Sequence, residues 1–287
     1  MLHKMRSTGQ REPAMRKRRS KALVTLMSPR ETGFLSVQHR QIEISWWGPP
    51  PEEAPTLVLL HEGLGCVGMW RDFPQQLAEA TGLGVMAYSR VGYGASDPCA
   101  LPRPLMYMQD EGTFTLPALL AAARVRQHIL VGHSDGGSIA LAYAGVEPSE
   151  LLGVVTIAAH VFCEPETIAA IAAARVAWQT DDLYERLQRH HGENTDCAFR
   201  GWNETWLDPR FKHWTLTAYL PAIQVPVLAL QGEDDEYGTT AQLDAIREGV
   251  GGPIETALLP GGHWSHRDHP EPTLARIAAF TRQLFNE

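Results

Sequence analysis

The sequence predicts an α/β fold in which a mostly parallel sheet of eight strands is covered by helices on both faces. Short apolar runs alternate with helix-like stretches along most of the chain, and two alternating segments at the start are typical of an antiparallel hairpin. Strands that are apolar throughout are typical of parallel sheets with both faces buried. A serine between glycines, Ser134, stands where one apolar run gives way to a helix-like stretch.

The elements follow one another in a regular order. The opening hairpin is predicted at residues 34–39 and 41–47, and a Gly-Pro-Pro-Pro breaker ends it at residues 48–51. The apolar runs that follow are residues 56–60, 84–88, 128–131, 152–158, 225–230 and 255–259. The helix-like stretches include residues 70–80, 116–126, 241–250 and 271–285. This alternation predicts parallel strands joined by crossover helices.

One segment interrupts the alternation. Residues 161–221 contain no buried-strand run but are rich in aromatic and charged side chains. We expect several short helices here, forming a cap over the carboxyl edge of the sheet. The predicted core is therefore divided into residues 28–160 and 222–287.

Charge is distributed unevenly. The chain of 287 residues is 44% hydrophobic and carries a formal net charge of −8, which suits one large domain with an insertion. Residues 1–21 hold eight Lys or Arg against one acid, so the remainder carries about −15. We predict a disordered basic leader at residues 1–27, with a tether to nucleic acid or an anionic membrane as the alternative. The acidic body argues against nucleic acid as the main partner.

The predicted location is the cytoplasm. The apolar run at residues 22–27 is too short for a signal-peptide core. Four cysteines without C-x-x-C spacing favour reduced thiols over a disulfide framework. They are Cys66, Cys99, Cys163 and Cys197.

The motif Gly132-His133-Ser134-Asp135-Gly136 has the G-x-S-x-G pattern of a nucleophile elbow. The strand before it and the helix after it supply the context that this pattern requires. A serine needs an adjacent base, and that base needs an acid to orient it. An acidic loop at residues 231–238 and a histidine-bearing loop at residues 260–266 follow later strands, at the edge where α/β sheets place their sites.

From residue 34 onwards the sequence resembles the α/β-hydrolase superfamily, and in outline its capped esterases, lactonases and meta-cleavage-product hydrolases. The resemblance implies a catalytic triad with Ser134 as nucleophile. The family's Gly-x-x-Asp loop is matched at residues 232–235, which gives the acid to Asp235, with Asp234 as the alternative. Its Gly-x-His loop is matched at residues 261–263, which makes His263 the base.

An oxyanion hole needs two preorganised N–H donors. One is expected from Asp135, the residue after the nucleophile. The family's His-Gly-x-x-Gly loop resembles residues 61–65, which implies Gly63 as the second donor, although Glu62 replaces the family's first glycine. A Glu62 carboxylate in the pocket would disfavour anionic substrates or position a water. The predicted substrate-binding residues are Glu62, Leu64, Trp202, Trp206 and Trp264.

Two further patterns have structural explanations. Residues 88–97 resemble the family's Arg-Gly-x-Gly-x-Ser loop, in which we expect Arg90 to be structural. His263, His266 and His269 lie at three-residue intervals, but Pro270 argues against a helix that presents them to a metal. We expect no metal and no cofactor.

The predicted activity is hydrolysis of a carboxylic ester of a small apolar or aromatic substrate through an acyl-enzyme. The alternatives are a lactone, thioester or C–C bond hydrolase of a catabolic metabolite, and a ligand-binding or signalling protein that does not turn over. A serine at the elbow argues against epoxide hydrolases and haloalkane dehalogenases, which use a carboxylate nucleophile. The expected partner is a small molecule, without nucleic acid or membrane, and a homodimer is left open.

Overall fold

Eight strands form one sheet in the order β1-β2-β4-β3-β5-β6-β7-β8 in the computed structural model, which describes residues 31–285. The strands are β1 (Glu31–Val37), β2 (Arg40–Trp47), β3 (Thr56–Leu60), β4 (Gly84–Tyr88), β5 (His128–His133), β6 (Leu151–Ile157), β7 (Val227–Gly232) and β8 (Ile254–Leu259). Pairs β1–β2 and β2–β4 are antiparallel, and all other neighbours are parallel. The predicted hairpin and mostly parallel sheet are confirmed.

Ten α-helices connect and cover the described strands. They are α1 (Phe73–Thr81), α2 (Tyr107–Asp110), α3 (Leu116–Ala122), α4 (Asp135–Ala144), α5 (Pro165–Thr180), α6 (Leu183–His191), α7 (Thr195–Trp206), α8 (Ala241–Gly249), α9 (Ser265–Asp268) and α10 (Pro270–Leu284). A π-helical turn, Glu111–Thr115, joins α2 to α3, so the helix predicted at residues 116–126 begins earlier and ends earlier.

The central strands of the sheet are buried at nearly every position, and most of their residues are apolar. In β3, Leu57 and Leu59 belong to the core on the side of α1 and α10, whereas Val58 and Leu60 belong to the core on the side of α4. This is the two-residue alternation of a strand. Apolar residues are therefore required at consecutive positions, as the sequence shows.

Between β6 and β7 the chain is mainly helical and contains α5, α6 and α7. Aromatic pairs hold this region together, including Trp178 stacked on Phe199 with ring centroids 3.9 Å apart. These helices contribute walls to the cavity that also contains Ser134. The division into a cap at residues 161–221 and a two-part core stays a prediction, and the leader at residues 1–27 lies outside the described residues.

Two of the four cysteines are paired. The Sγ atoms of Cys99 and Cys197 form a disulfide that joins the loop after β4 to α7, across a sequence separation of 98 residues. Cys66 and Cys163 are free. The expectation of four separate thiols was therefore wrong for one pair, because the fold brings together residues that no spacing rule connects. Cytoplasmic location stays a prediction.

Among the residues described here, no helix combines the length and the apolar character needed to cross a membrane.

Candidate active site

Ser134 stands on the sharp turn between β5 and α4. Its backbone has φ 52° and ψ −120°, a conformation that is unfavourable for a residue with a side chain. The turn is tight, since a Cβ on Gly136 would collide with the carbonyl of Leu60. A hydrogen bond of 2.8 Å from the Ser134 amide to the Ile157 carbonyl anchors the turn to β6. The local sequence therefore places the hydroxyl at the carboxyl edge of the sheet.

His263 and Asp235 come from the loops after β8 and β7. The Nδ1 atom of His263 lies 2.8 Å from Oδ1 of Asp235, and these side chains are only 3% and 2% exposed. Burial raises the pKa of Asp235, but the hydrogen bond and charge of His263 outweigh it, so the pKa is lowered. The Tyr237 amide also donates to Oδ1, at 2.9 Å. Asp235 is therefore a carboxylate that accepts from Nδ1–H and leaves Nε2 of His263 able to accept a proton.

Asp234, the alternative acid, has a different environment. The residue is exposed, and its amide donates to the Gly261 carbonyl at 3.0 Å. Asp234 therefore joins the two loops through its backbone, whereas the buried carboxylate beside His263 belongs to Asp235.

The two predicted oxyanion donors line one cavity together with Ser134 and His263. Gly63 lies against the indole of Trp202. Asp135 is the first residue of α4, and its carboxylate accepts a hydrogen bond of 2.5 Å from the Tyr107 hydroxyl. The Asp135 side chain is therefore held by the protein, while its amide lies at the amino end of a helix, where N–H groups favour negative charge.

Arg90 connects the oxyanion loop to the elbow. It is 2% exposed, and its Nη2 donates to the Glu62 carbonyl at 2.8 Å while Nη1 lies 3.4 Å from Oδ2 of Asp135. The Arg90 amide donates to Nε2 of His61 at 3.0 Å. The guanidinium also lies 4.7 Å from the centre of the Tyr93 ring. These contacts agree with the structural role expected for Arg90.

Replacing Arg90 by methionine is expected to lower the free energy of unfolding by about 3–5 kcal/mol, because the buried Asp135 carboxylate would lose its cation. The measurement is urea denaturation at neutral pH. The matched control is Arg186→Met, since the Arg186–Asp182 pair is exposed at the surface and should contribute less than about 1 kcal/mol. Equal losses in the two variants would contradict the assigned role of Arg90.

The cavity has a volume of about 830 Å³. Each of the predicted substrate-binding residues lines it, namely Glu62, Leu64, Trp202, Trp206 and Trp264. Helix α5 adds a wall of small side chains, Ala169, Ala170, Ala173, Ala174 and Ala177. Trp206 of α7 is 1% exposed and donates to the Tyr107 hydroxyl of α2 at 3.0 Å, which fixes the indole in the cavity lining.

Three residues of the site were not predicted from the sequence. His160 follows β6 and lies with its ring centroid 6.0 Å from that of His263, and burial lowers its pKa to about 3. Glu236 accepts a hydrogen bond of 3.2 Å from the His263 amide. His133, the variable residue of the elbow motif, donates to the His263 carbonyl. A polar residue at the carboxyl end of a parallel strand was the signal for His160.

Comparison with known proteins identifies the family. A family model described as the alpha/beta hydrolase fold matches residues 55–219, more than half of the chain. The chain belongs to the α/β-hydrolase family. Because the match contains the elbow, it agrees with the strand-turn-helix geometry of Ser134.

Similar proteins carry different activities. This chain is 30% identical over 111 residues to epoxide hydrolase B of Mycobacterium tuberculosis, a match that covers 38% of this chain and 30% of the relative. The structure of VinJ has a TM-score of 0.70 at 23% identity and covers 90% of this chain and 100% of its own. Carboxylesterase CesB (YbfK) of Bacillus subtilis has a TM-score of 0.64 at 24% identity, with 88% and 92% covered. At these identities the structural similarities show the fold.

Proposed function

We propose that this α/β hydrolase is a serine hydrolase that cleaves carboxylic esters through an acyl-enzyme. The observation that carries the proposal is the pairing of a buried His263–Asp235 hydrogen bond of 2.8 Å with Ser134, whose strained turn opens into the same cavity. A nucleophile, a base and an orienting carboxylate are the parts that acyl transfer requires.

The mechanism assigns one task to each group. Nε2 of His263 takes the proton of Ser134 as the hydroxyl attacks the substrate carbonyl, and Asp235 stabilises the imidazolium that forms. The amides of Gly63 and Asp135 donate to the negative oxygen of the tetrahedral intermediate. His263 then protonates the leaving alcohol, which leaves an acyl-enzyme. A water molecule, deprotonated by His263, releases the acid and restores Ser134.

The size and charge of the cavity favour a small substrate that is uncharged or cationic. Its volume lies within the usual range for small-molecule sites, and aromatic and alanine side chains form much of its lining. The charged side chains around it are mainly acidic. The cations Arg186 and Arg267 are paired with Asp182 and Asp268, whereas the lining also contains Glu62, Glu166, Asp181 and Glu236. An anionic substrate would meet repulsion in this cavity.

The curated relative is an epoxide hydrolase, but Ser134 favours acyl transfer. A hydroxyl that attacked an epoxide would form an ether, which water cannot release by attack at a carbonyl. A serine attacking an ester forms an acyl-enzyme, which water can release. Lactones, thioesters and activated C–C bonds use the same attack, so they remain alternative substrates of the proposed site.

The proposal is tested by intact-mass spectrometry after exposure to a fluorophosphonate, followed by assays with short p-nitrophenyl esters. We expect one adduct per chain, steady ester turnover, and neither in Ser134→Ala. An adduct that persists in Ser134→Ala would contradict the assigned nucleophile. An adduct on the wild type without ester turnover would favour the ligand-binding alternative or another bond.

A further inference from the structure

His133 is the last residue of β5 and immediately precedes the candidate nucleophile. Its side chain is fully buried, and Nε2 lies 2.8 Å from the backbone carbonyl oxygen of His263. A carbonyl oxygen can only accept, so Nε2 must carry a hydrogen. This bond ties the residue before Ser134 to the loop that bears the proposed base.

The other ring nitrogen has no hydrogen-bond partner within the usual distance. The Nδ1 atom is buried and lies 3.7 Å from Oε2 of Glu62. If the ring were neutral, Nδ1 would present a lone pair to a carboxylate, and two acceptors would repel each other. The pair therefore requires one further proton between Nδ1 and Glu62.

The Glu62 side chain is 11% exposed and folds back over its own loop, because a Cβ on Gly65 would collide with Oε2. Burial raises the pKa of Glu62, but the neighbouring imidazole of His133 outweighs burial and lowers it well below the ordinary value. The carboxylate form therefore dominates, and the shared proton belongs on Nδ1 of His133.

The titratable and charged groups around this pair do not replace either of its members. They are His61, Arg90, His160, His190, His191, His263 and His266. Nε2 of His61 accepts from the Arg90 amide, and Nδ1 of His191 accepts from the Gly94 amide, so neither ring is doubly protonated. Burial lowers the pKa of His266 well below its ordinary value. His190 is exposed, and partial burial of its ring also lowers its pKa.

We propose that Glu62 and protonated His133 form an ion pair that positions the oxyanion loop, the nucleophile turn and the base loop against one another. The pair deepens the proposed function and depends on it for its catalytic consequence. Glu62 precedes the donor Gly63, His133 precedes Ser134, and Nε2–H of His133 holds the backbone of His263. Glu62 and His133 are positioning residues, and the chemistry belongs to Ser134 and His263.

The pair has a consequence for the position of the Gly63 amide. Without the contact between Glu62 and His133, the oxyanion loop loses its connection to the nucleophile turn, and displacement of a catalytic group by about 1 Å can cost on the order of 100-fold in rate. We therefore expect kcat on a p-nitrophenyl ester to fall when the contact is removed.

The decisive variant is Glu62→Gln. A glutamine amide donates N–H to the neutral Nδ1 of His133, so the link survives without the extra proton. Glu62→Gln should therefore keep kcat near the wild-type value, while Glu62→Ala should lower kcat about 10- to 100-fold with a small change in KM. The control is Glu53→Ala, which removes an exposed carboxylate outside the cavity and should keep the wild-type kcat. A kcat as low in Glu62→Gln as in Glu62→Ala would overturn the proposal.

A second measurement needs no substrate and so separates this proposal from the proposed function. Nitrogen NMR of His133 in the full chain at neutral pH should show two N–H groups in the wild type. In Glu62→Gln at the same pH, His133 should show one N–H group, on Nε2. A singly protonated His133 in the wild type would overturn the ion pair, whether or not the protein hydrolyses esters.

Discussion

Alanine at Ser134 or at His263 is expected to abolish nearly all ester turnover, with a loss on the order of 10⁶-fold in kcat for each variant. Without the hydroxyl no acyl-enzyme forms, and without the imidazole the hydroxyl keeps its proton. Because both groups act in the same step, the double variant should be no slower than either single variant. Steady-state kinetics with a p-nitrophenyl ester measure all three.

The controls are Ser149→Ala and His213→Ala, which remove the same chemical groups from exposed positions. Both should retain wild-type turnover. Losses that multiply in the double variant, or a His263→Ala enzyme with kcat near the wild-type value, would contradict the proposed roles. Urea denaturation of each variant distinguishes loss of chemistry from loss of folding.

Asp235→Asn is expected to lower kcat by about 10⁴-fold, whereas Asp234→Asn should change it only slightly. The Asp235 carboxylate accepts from Nδ1 of His263 at 2.8 Å, and this bond selects the ring form whose Nε2 can take the serine proton. An asparagine amide beside Nδ1 favours the opposite form, which leaves Nε2 already protonated.

Asp234→Asn provides a matched control because it makes the same chemical change at the adjacent, exposed residue. The kcat values on one ester, measured from pH 5 to pH 9, decide between the two acids. A larger loss for Asp234→Asn would show that the acid is Asp234 and that the loop rearranges on substrate binding. Similar small losses in both would exclude a required carboxylate at His263.

The strands were the most predictable part of the fold. The runs at residues 56–60 and 84–88 coincide with β3 and β4 because these strands carry apolar residues on both faces. The helix predicted at residues 116–126 is less well placed and belongs to a helical segment that starts at Tyr107. The early part of this segment is stabilised by long-range contacts, such as the hydrogen bond from the Tyr107 hydroxyl to Asp135. Such contacts do not require an apolar periodicity in the local sequence.

In the candidate site, too, only the features set by local sequence were predictable. The G-x-S-x-G turn is local, so the position and strained backbone of Ser134 follow from a few adjacent residues. Asp235 and His263 were proposed from family loop patterns, and their contact at 2.8 Å depends on neighbouring strands β7 and β8. His160 was missed because a single histidine after a strand has no partner visible in sequence.

The sequence by itself determined the fold class and the location of the nucleophile turn, because apolar alternation and glycine placement act over a few residues. Only the tertiary structure decided which distant side chains face each other. Cys99 meets Cys197, and Nδ1 of His133 faces the Glu62 carboxylate at 3.7 Å. Each of these pairs unites segments that are remote in the chain and adjacent in the fold. Such contacts are set by packing in three dimensions, which no pattern within a single loop records.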